Sequence, residues 1–263
     1  MTMRLFVPDA LRAGVELALP EGAARHAMVR RVQPGQWLRL FDGLGCDWPA
    51  EVLAVGRSEV RVRVGRPLAV ETELPLHITV ALGMPANERM DAVVEKATEL
   101  GAAAIQPLHT ERSVLRLTGD RAEKKRAHWQ AVAEAACEQC GRARVPLVAP
   151  VRALSDWLAV RVNPDGNSDA SLRLLLSLQS GAQPLAQRLA EIPGGLTAQR
   201  IVTLNGPEGG LTPDEEAAAR RAGFLPTSMG ARVLRADTAP LAVLAVLAVL
   251  AGLGCLNRPA TAG

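Results

Sequence analysis

Ile201 to Glu215 constrains this chain more than any other stretch. The apolar run Ile201–Leu204 reads as a strand, and Asn205-Gly206-Pro207-Glu208-Gly209-Gly210-Leu211 turns from it straight into a helix. The helix start is written in the residues: Thr212 as N-cap, Pro213 at the first helical position and Glu215 to close a capping box. A strand that ends in a glycine turn and feeds a helix belongs to an α/β layer, and ligands bind in the crevice at the carboxyl ends of such strands. Gly206, Gly209 and Gly210 let the backbone approach a ligand, and Glu208 sets an acceptor among them. The turn has neither Gly-Lys-Ser/Thr nor Gly-x-Gly-x-x-Gly spacing, and its carboxylate would repel a pyrophosphate, so a nucleotide-phosphate cradle is excluded. A ligand offering hydroxyls or a cationic group, such as a ribose or an amino-acid ammonium, suits it. The competing reading is a tight turn whose Glu208 serves nearby backbone N–H groups.

The rest of the chain divides by period. Up to residue 72 it reads as β: Trp37–Phe41, Ala50–Val55 and Val60–Val64 are strands, and the last puts valines on one face and arginines on the other. This predicts a small barrel with one basic face, preceded by a short cationic helix over Arg25–Arg31. Arg66–Pro75, with a proline near each end, reads as the linker. From there strands at His77–Leu82, Ala103–Leu108, Leu172–Leu178 and Ile201–Leu204 alternate with helices. The helices are Asn87–Leu100, stopped by Gly101, Asp120–Cys140, stopped by Gly141, a short one near Pro184–Ile192, and Pro213–Ala222. That alternation predicts a mostly parallel sheet. Asn163–Ala170 reads as a polar surface loop.

Charge and cysteine content narrow the partners. The net charge of +3 favours a polyanion without requiring one, and with no Tyr, three Phe and four Trp, base stacking is not expected to dominate a nucleic-acid contact. Cys137-Glu138-Gln139-Cys140 lies inside a helical pattern with no second ligand pair, which predicts reduced helix cysteines rather than a zinc or redox site. Thr238–Leu256 is uncharged but rich in Ala and lacks flanking anchors, so it is expected to be a helix buried on all sides, in the core or a subunit interface, and not a membrane span. Met1–Arg12 carries Arg4 and Asp9 and no apolar core of a signal peptide, making the cytoplasm the expected compartment.

Several stretches together carry a family resemblance. They are Glu95-Lys96-Ala97-Thr98-Glu99-Leu100-Gly101, Pro107-Leu108-His109-Thr110-Glu111-Arg112-Ser113, Cys137-Glu138-Gln139-Cys140-Gly141-Arg142, and the pair Gly206-Pro207-Glu208-Gly209-Gly210 with Gly230-Ala231-Arg232-Val233-Leu234-Arg235. Pro34-Gly35 and Phe41-Asp42-Gly43 add to them. In this order the chain resembles the SPOUT-superfamily ribosomal small-subunit methyltransferase E family, which methylates N3 of a uridine in 16S ribosomal RNA. It departs from the family pattern after Arg235, where Ala236-Asp237-Thr238-Ala239 stands in place of the usual Thr-Glu-Thr-Ala.

The resemblance implies an α/β protein with a PUA-like RNA-binding β-barrel over 1–72 and a SPOUT methyltransferase domain over 73–263, whose C-terminal segment threads a trefoil knot. It implies S-adenosylmethionine as cofactor, 16S ribosomal RNA of the small subunit as substrate, a homodimer, and no metal. The cofactor is then expected at Leu204, Asn205, Gly206, Glu208, Gly209, Met229, Gly230, Leu234 and Thr238. Because uridine N3 must lose a proton before it attacks a methyl group, a cation that stabilises the anion is needed, and Arg112 and Arg235 are the candidates. His109 is a possible base. Arg25, Arg30 and Arg31, with Arg142 and Arg144, are expected to grip RNA phosphates, since the guanidinium fork pairs with two phosphate oxygens. The alternative is an RNA-binding assembly factor of the same fold that transfers no methyl group.

Overall fold

The computed structural model describes residues 2–160, 171–191 and 200–256. The chain forms two compact units, Met1–Glu73 with Glu134–Val145, and Leu74–Ala133 with Pro146–Gly263. The loop expected at Asn163–Ala170 lies outside the described residues.

The first unit contains β1 (Arg4–Phe6), β2 (Glu16–Ala18), α1 (Glu21–Val29), β3 (Trp37–Phe41), β4 (Cys46–Val55), β5 (Val60–Val64) and β6 (Leu68–Ala69). Its sheet runs β1-β3-β4-β5-β2, with β6 also on β4; β1 lies parallel to β3 and the other pairs are antiparallel. Val60, Val62 and Val64 point inward, as the two-residue period of a strand requires, and pack with Leu38, Leu40, Val52 and the alanines of α1. The outward arginines do not make a basic face. Arg63 stands opposite Glu16 on one side and Glu51 on the other, pairing with them at 2.9 and 3.4 Å, and Arg61 also reaches Glu16. A single strand shows its cations and hides the carboxylates its neighbours bring across. The stretch read as a linker also holds β6, whose two residues pair with Cys46 and Asp47 and are too few to show a period.

Arg4 explains why Glu134–Val145 belongs to this unit. Its guanidinium pairs with the buried Asp47 at 2.6 Å and donates to the carbonyls of Cys137 and Arg142. Arg142, only 4% exposed, pairs in turn with Glu73 at 2.6 Å. Its hydrogen bond with Cys140 and its burial push the Cys137 thiol up from the ordinary cysteine range.

The second unit contains β7 (His77–Gly83), α2 (Asn87–Glu99), β8 (Ala104–His109), α3 (Gly119–Cys140, of which Glu134–Cys140 counts with the first unit), β9 (Leu147–Val148) and β10 (Arg152–Ala153). It continues with α4 (Leu154–Ala159), β11 (Ser171–Leu176), β12 (Gln183–Pro184), α5 (Leu185–Ala190), β13 (Arg200–Asn205), α6 (Pro213–Arg221), β14 (Leu225–Ser228) and α7 (Thr238–Leu256). The sheet is parallel throughout the described residues, in the order β10-β8-β7-β13-β11-β14-β12, with β9 also on β8. Its central strands are buried on both faces, so Val80, Ala81 and Leu82 run on as consecutive buried apolar residues rather than alternating. α2 stops at Gly101, whose φ of +94° ends the helix as its sequence predicts. The capping box of α6 is formed: Glu215 N donates to Thr212 Oγ1, and Thr212 N to the Glu215 carboxylate.

α7, expected to be buried in the core or a subunit interface, is covered on one side by this chain. Val243, Leu244, Leu247 and Ala251 form one buried stripe, and α7 packs on α2, β7 and β13. Val246, Val249 and Leu250 on another face stay exposed. The helix is apolar all round, so sequence could not show that only one side meets this chain. Among the described residues no helix is long and apolar enough to cross a membrane.

Candidate functional site

β7, β13, β11 and β14 are neighbours in the sheet, so their carboxyl ends and the turns that follow them come together. Between those turns lies a cavity of about 530 Å³, inside the roughly 300–1,000 Å³ range of small-molecule sites. One wall is the glycine turn after β13, and the opposite wall is the segment Met229–Ala236 after β14. Ser177, Leu178 and Gln179, after β11, close a third side.

At Gly206 and Gly83 the neighbouring atoms leave no room for a side chain. A Cβ on Gly206 would lie 2.6 Å from the Gly210 carbonyl carbon and from Leu211 N, both backbone atoms. One on Gly83 would lie 2.5 Å from Pro207 Cδ, so the end of β7 can support the turn only as glycine. Gly210 adopts φ of +69°, and its N–H closes the turn on the Pro207 carbonyl at 2.8 Å.

Polar groups in the wall divide into spent and unspent. Arg112 donates from Nη1 to the carbonyls of Gly209 and Leu211 at 2.8 and 3.4 Å, and so braces the glycine turn. Arg89, near the start of α2, pairs with Glu208 at 3.1 Å, and the same carboxylate oxygen accepts the Ala86 N–H. Both oxygens of Glu216 accept from the Ser177 hydroxyl. Arg232 and Arg235 are exposed and make no ion pair among the described residues, which leaves the mouth of the cavity with available positive charge. Asn205 spends its Nδ2 on the carbonyls of Gly206 and Ala236, while its buried Oδ1 has no partner among the described residues. An orphaned buried acceptor in a cavity wall is costly unless a ligand supplies a donor.

Comparison with known proteins agrees with this geometry. The model of the RNA methyltransferase domain family matches residues 72–248. The ribosomal RNA small subunit methyltransferase E of Mycobacterium bovis is 34% identical over 91% of this chain and 88% of its own length. This chain belongs to the ribosomal RNA small subunit methyltransferase E family. Among solved structures, the family's enzyme from Neisseria gonorrhoeae, bound to S-adenosylmethionine, superposes with a TM-score of 0.83 at 34% identity, covering 95% of this chain and 98% of that one. A methyltransferase from Legionella pneumophila, in complex with the same cofactor, gives 0.84 at 32% identity over 95% and 98%.

The structure draws together most of the residues expected to serve methyltransferase chemistry. Asn205, Gly206, Glu208, Gly209, Met229, Gly230 and Leu234 all line the cavity, as do Arg112 and Arg235. Leu204 and Thr238 do not. Leu204 is fully buried in the core behind the turn, and Thr238 starts α7 with its hydroxyl on Asp237. His109 is also outside the wall: its Nε2 lies 2.6 Å from the Leu117 carbonyl, which makes it a strut for the loop after β8. Arg142 is removed from the phosphate contacts, because a guanidinium that is buried and paired with Glu73 has no face left for RNA. Arg30, Arg31 and Arg144 are exposed, and Arg25 is exposed but paired with Glu21.

Sequence reasoning missed Arg89, Glu216, Arg232 and the Ser177–Gln179 turn. The last had a usable signal, since it follows the carboxyl end of a sheet strand. Arg89 had none, because only the fold brings α2 beside the glycine turn.

Proposed function

We propose that this chain is an S-adenosylmethionine-dependent enzyme that methylates N3 of a uridine in 16S ribosomal RNA of the small ribosomal subunit. The observation that carries this reading is the cavity itself, walled by two glycine-bearing backbone segments with an orphaned acceptor, Asn205 Oδ1, between them. S-adenosylmethionine fits those groups. Its ammonium and its adenine amine are donors for Asn205 Oδ1 and Glu208, and the close glycine backbone admits a flat ring. The cofactor, when bound, supplies an electrophilic methyl group on a sulfonium. What the chain must then supply is orientation, exclusion of water and a place for the negative charge of deprotonated uridine. Arg235 suits the last task, being exposed, unpaired among the described residues and part of the wall. Arg112 keeps part of its guanidinium for the same anion while Nη1 holds the turn.

Arg235→Ala is therefore expected to slow single-turnover methylation by about 100-fold, an oxyanion-type loss of roughly 2.7 kcal/mol. Its affinity for S-adenosylmethionine should stay within about twofold of wild type, in line with a residue that acts on the uridine. A wild-type single-turnover rate would end the assignment.

The first unit is proposed as the PUA-like, RNA-binding barrel. Support comes from its inward valine face and from Arg30, Arg31 and Arg144, which present cations with no ion pair among the described residues. Arg30→Glu with Arg31→Glu should weaken binding of small-subunit RNA and flatten the slope of affinity against salt by about two ions. An unchanged slope would move the RNA elsewhere.

For the C-terminal segment the proposal is a trefoil knot. In its favour, the chain leaves β13, reaches β14 beyond β11, and returns so that Ala236 bonds to Asn205 and α7 packs on β7 and β13. The exposed Val246, Val249 and Leu250 face of α7 supports a homodimer, and a cytoplasmic location follows from the substrate. Titration calorimetry with S-adenosylmethionine, followed by mapping of methylated uridines in small subunits, tests the whole reading. Tight RNA binding with no cofactor binding and no methyl transfer would favour an assembly factor.

A further inference from the structure

The two walls of the cavity come from separate parts of the chain, the turn Gly206–Leu211 and the segment Met229–Asp237. We propose that Arg89 is a positioning residue that clasps them together, through Glu208 on one wall and Asp237 on the other. The inference rests on the reading of this cavity as the S-adenosylmethionine site.

The geometry is that of one cation between two carboxylates. Arg89 Nη1 lies 3.1 Å from Glu208 Oε1, and its Nε lies 4.0 Å from Asp237 Oδ2. Glu208 Oε1 also accepts the N–H of Ala86, the N-cap residue of α2, at 3.2 Å. The carboxylate thus sits at a helix start, where the helix dipole favours negative charge. Without the guanidinium, Glu208 and Asp237 are like charges on opposite walls and would drive those walls apart. A part-buried neutral tie, Asn205 Nδ2 to the Ala236 carbonyl at 3.1 Å, joins the residue just before the turn to the second segment. Asn205 can hold only the inner end, so the outer end depends on the arginine.

The clasp is unequal. At 3.1 Å the Glu208 arm is a charge-assisted hydrogen bond, whereas at 4.0 Å the Asp237 arm is an ion pair beyond hydrogen-bond reach. A side chain one methylene longer at position 237 would close that gap. Asp237→Glu is thus expected to tighten the clasp, and Arg89→Gln to release it. Lysine at position 89 is a point charge that cannot serve both arms, so Arg89→Lys should fall between.

Hydrogen–deuterium exchange of the ligand-free protein reads the clasp directly. Arg89→Gln should raise amide exchange in both 206–211 and 229–237 by about fivefold, and Asp237→Glu should lower it in 229–237. Calorimetry reads the consequence: affinity for S-adenosylmethionine should fall about fivefold in Arg89→Gln, and in a Glu208→Gln background the same change should add little. The melting temperature should hardly move, since the pair is half exposed, which separates positioning from general stability. Unchanged exchange in both segments overturns the clasp. Full additivity of Arg89→Gln and Glu208→Gln also overturns it, in favour of a direct contact between Arg89 and the ligand. Raised exchange in a protein whose wild type binds no S-adenosylmethionine would leave the clasp standing and remove the cofactor assignment.

Discussion

Replacing Gly206 with alanine is expected to abolish useful binding of S-adenosylmethionine while leaving the rest of the sheet folded. The added Cβ would sit 2.6 Å from two backbone atoms of the facing side of the turn, Gly210 C and Leu211 N. Neither can rotate away as a flexible side chain would, so the turn must open and carry Glu208 and Gly209 with it. A displacement of that kind should reduce affinity by about 100-fold, or roughly 2.7 kcal/mol, readable by calorimetry. Gly209→Ala is the matched control. Its Cβ would lie 3.1 Å from Arg112 Cβ, a contact that a small shift relieves, so its loss should be several-fold smaller. Branched Gly209→Val should fall between the two. Wild-type affinity in Gly206→Ala would take the turn out of the site.

The second large effect belongs to stability. Arg142→Ala should destabilise the protein by about 3–5 kcal/mol, because it leaves Glu73 without its buried partner. The pair is tight, at 2.6 Å, with the arginine side chain 5% and the glutamate side chain 25% exposed. Urea denaturation followed by far-UV circular dichroism would measure the loss. The same variant should leave the salt dependence of RNA binding unaltered at temperatures where it remains folded. A fall in that dependence with stability intact would return Arg142 to the RNA contacts and refute its structural role. The double variant Arg142→Met with Glu73→Leu should recover much of the stability, since a buried ion pair can be replaced by packed apolar groups at little cost.

Local structure was largely readable from local residues. Val60–Val64 alternates because one face of its sheet is buried, and Thr212, Pro213 and Glu215 announce a helix start because its free N–H groups need those partners. Gly101 and Gly141 mark helix ends because both take positive φ. The glycine turn was legible as a turn at the carboxyl end of a strand for the same reason: a strand, three glycines and a capped helix leave few ways for the backbone to run.

What needed the tertiary structure was every statement about partners across the chain. Arg61 and Arg63 looked like a basic face until β2 and β4 brought Glu16 and Glu51 alongside. Arg142 resembled a phosphate ligand until its burial against Glu73 was seen. α7 read as apolar all round, and only the fold shows which stripe this chain covers and that Val249 lies on the other face, 63% exposed. Periodicity, capping and turn chemistry act over a few residues and are therefore encoded where they act. Charge pairing, burial and the clasp of Arg89 on Glu208, 119 residues apart, depend on distances that only the folded chain creates.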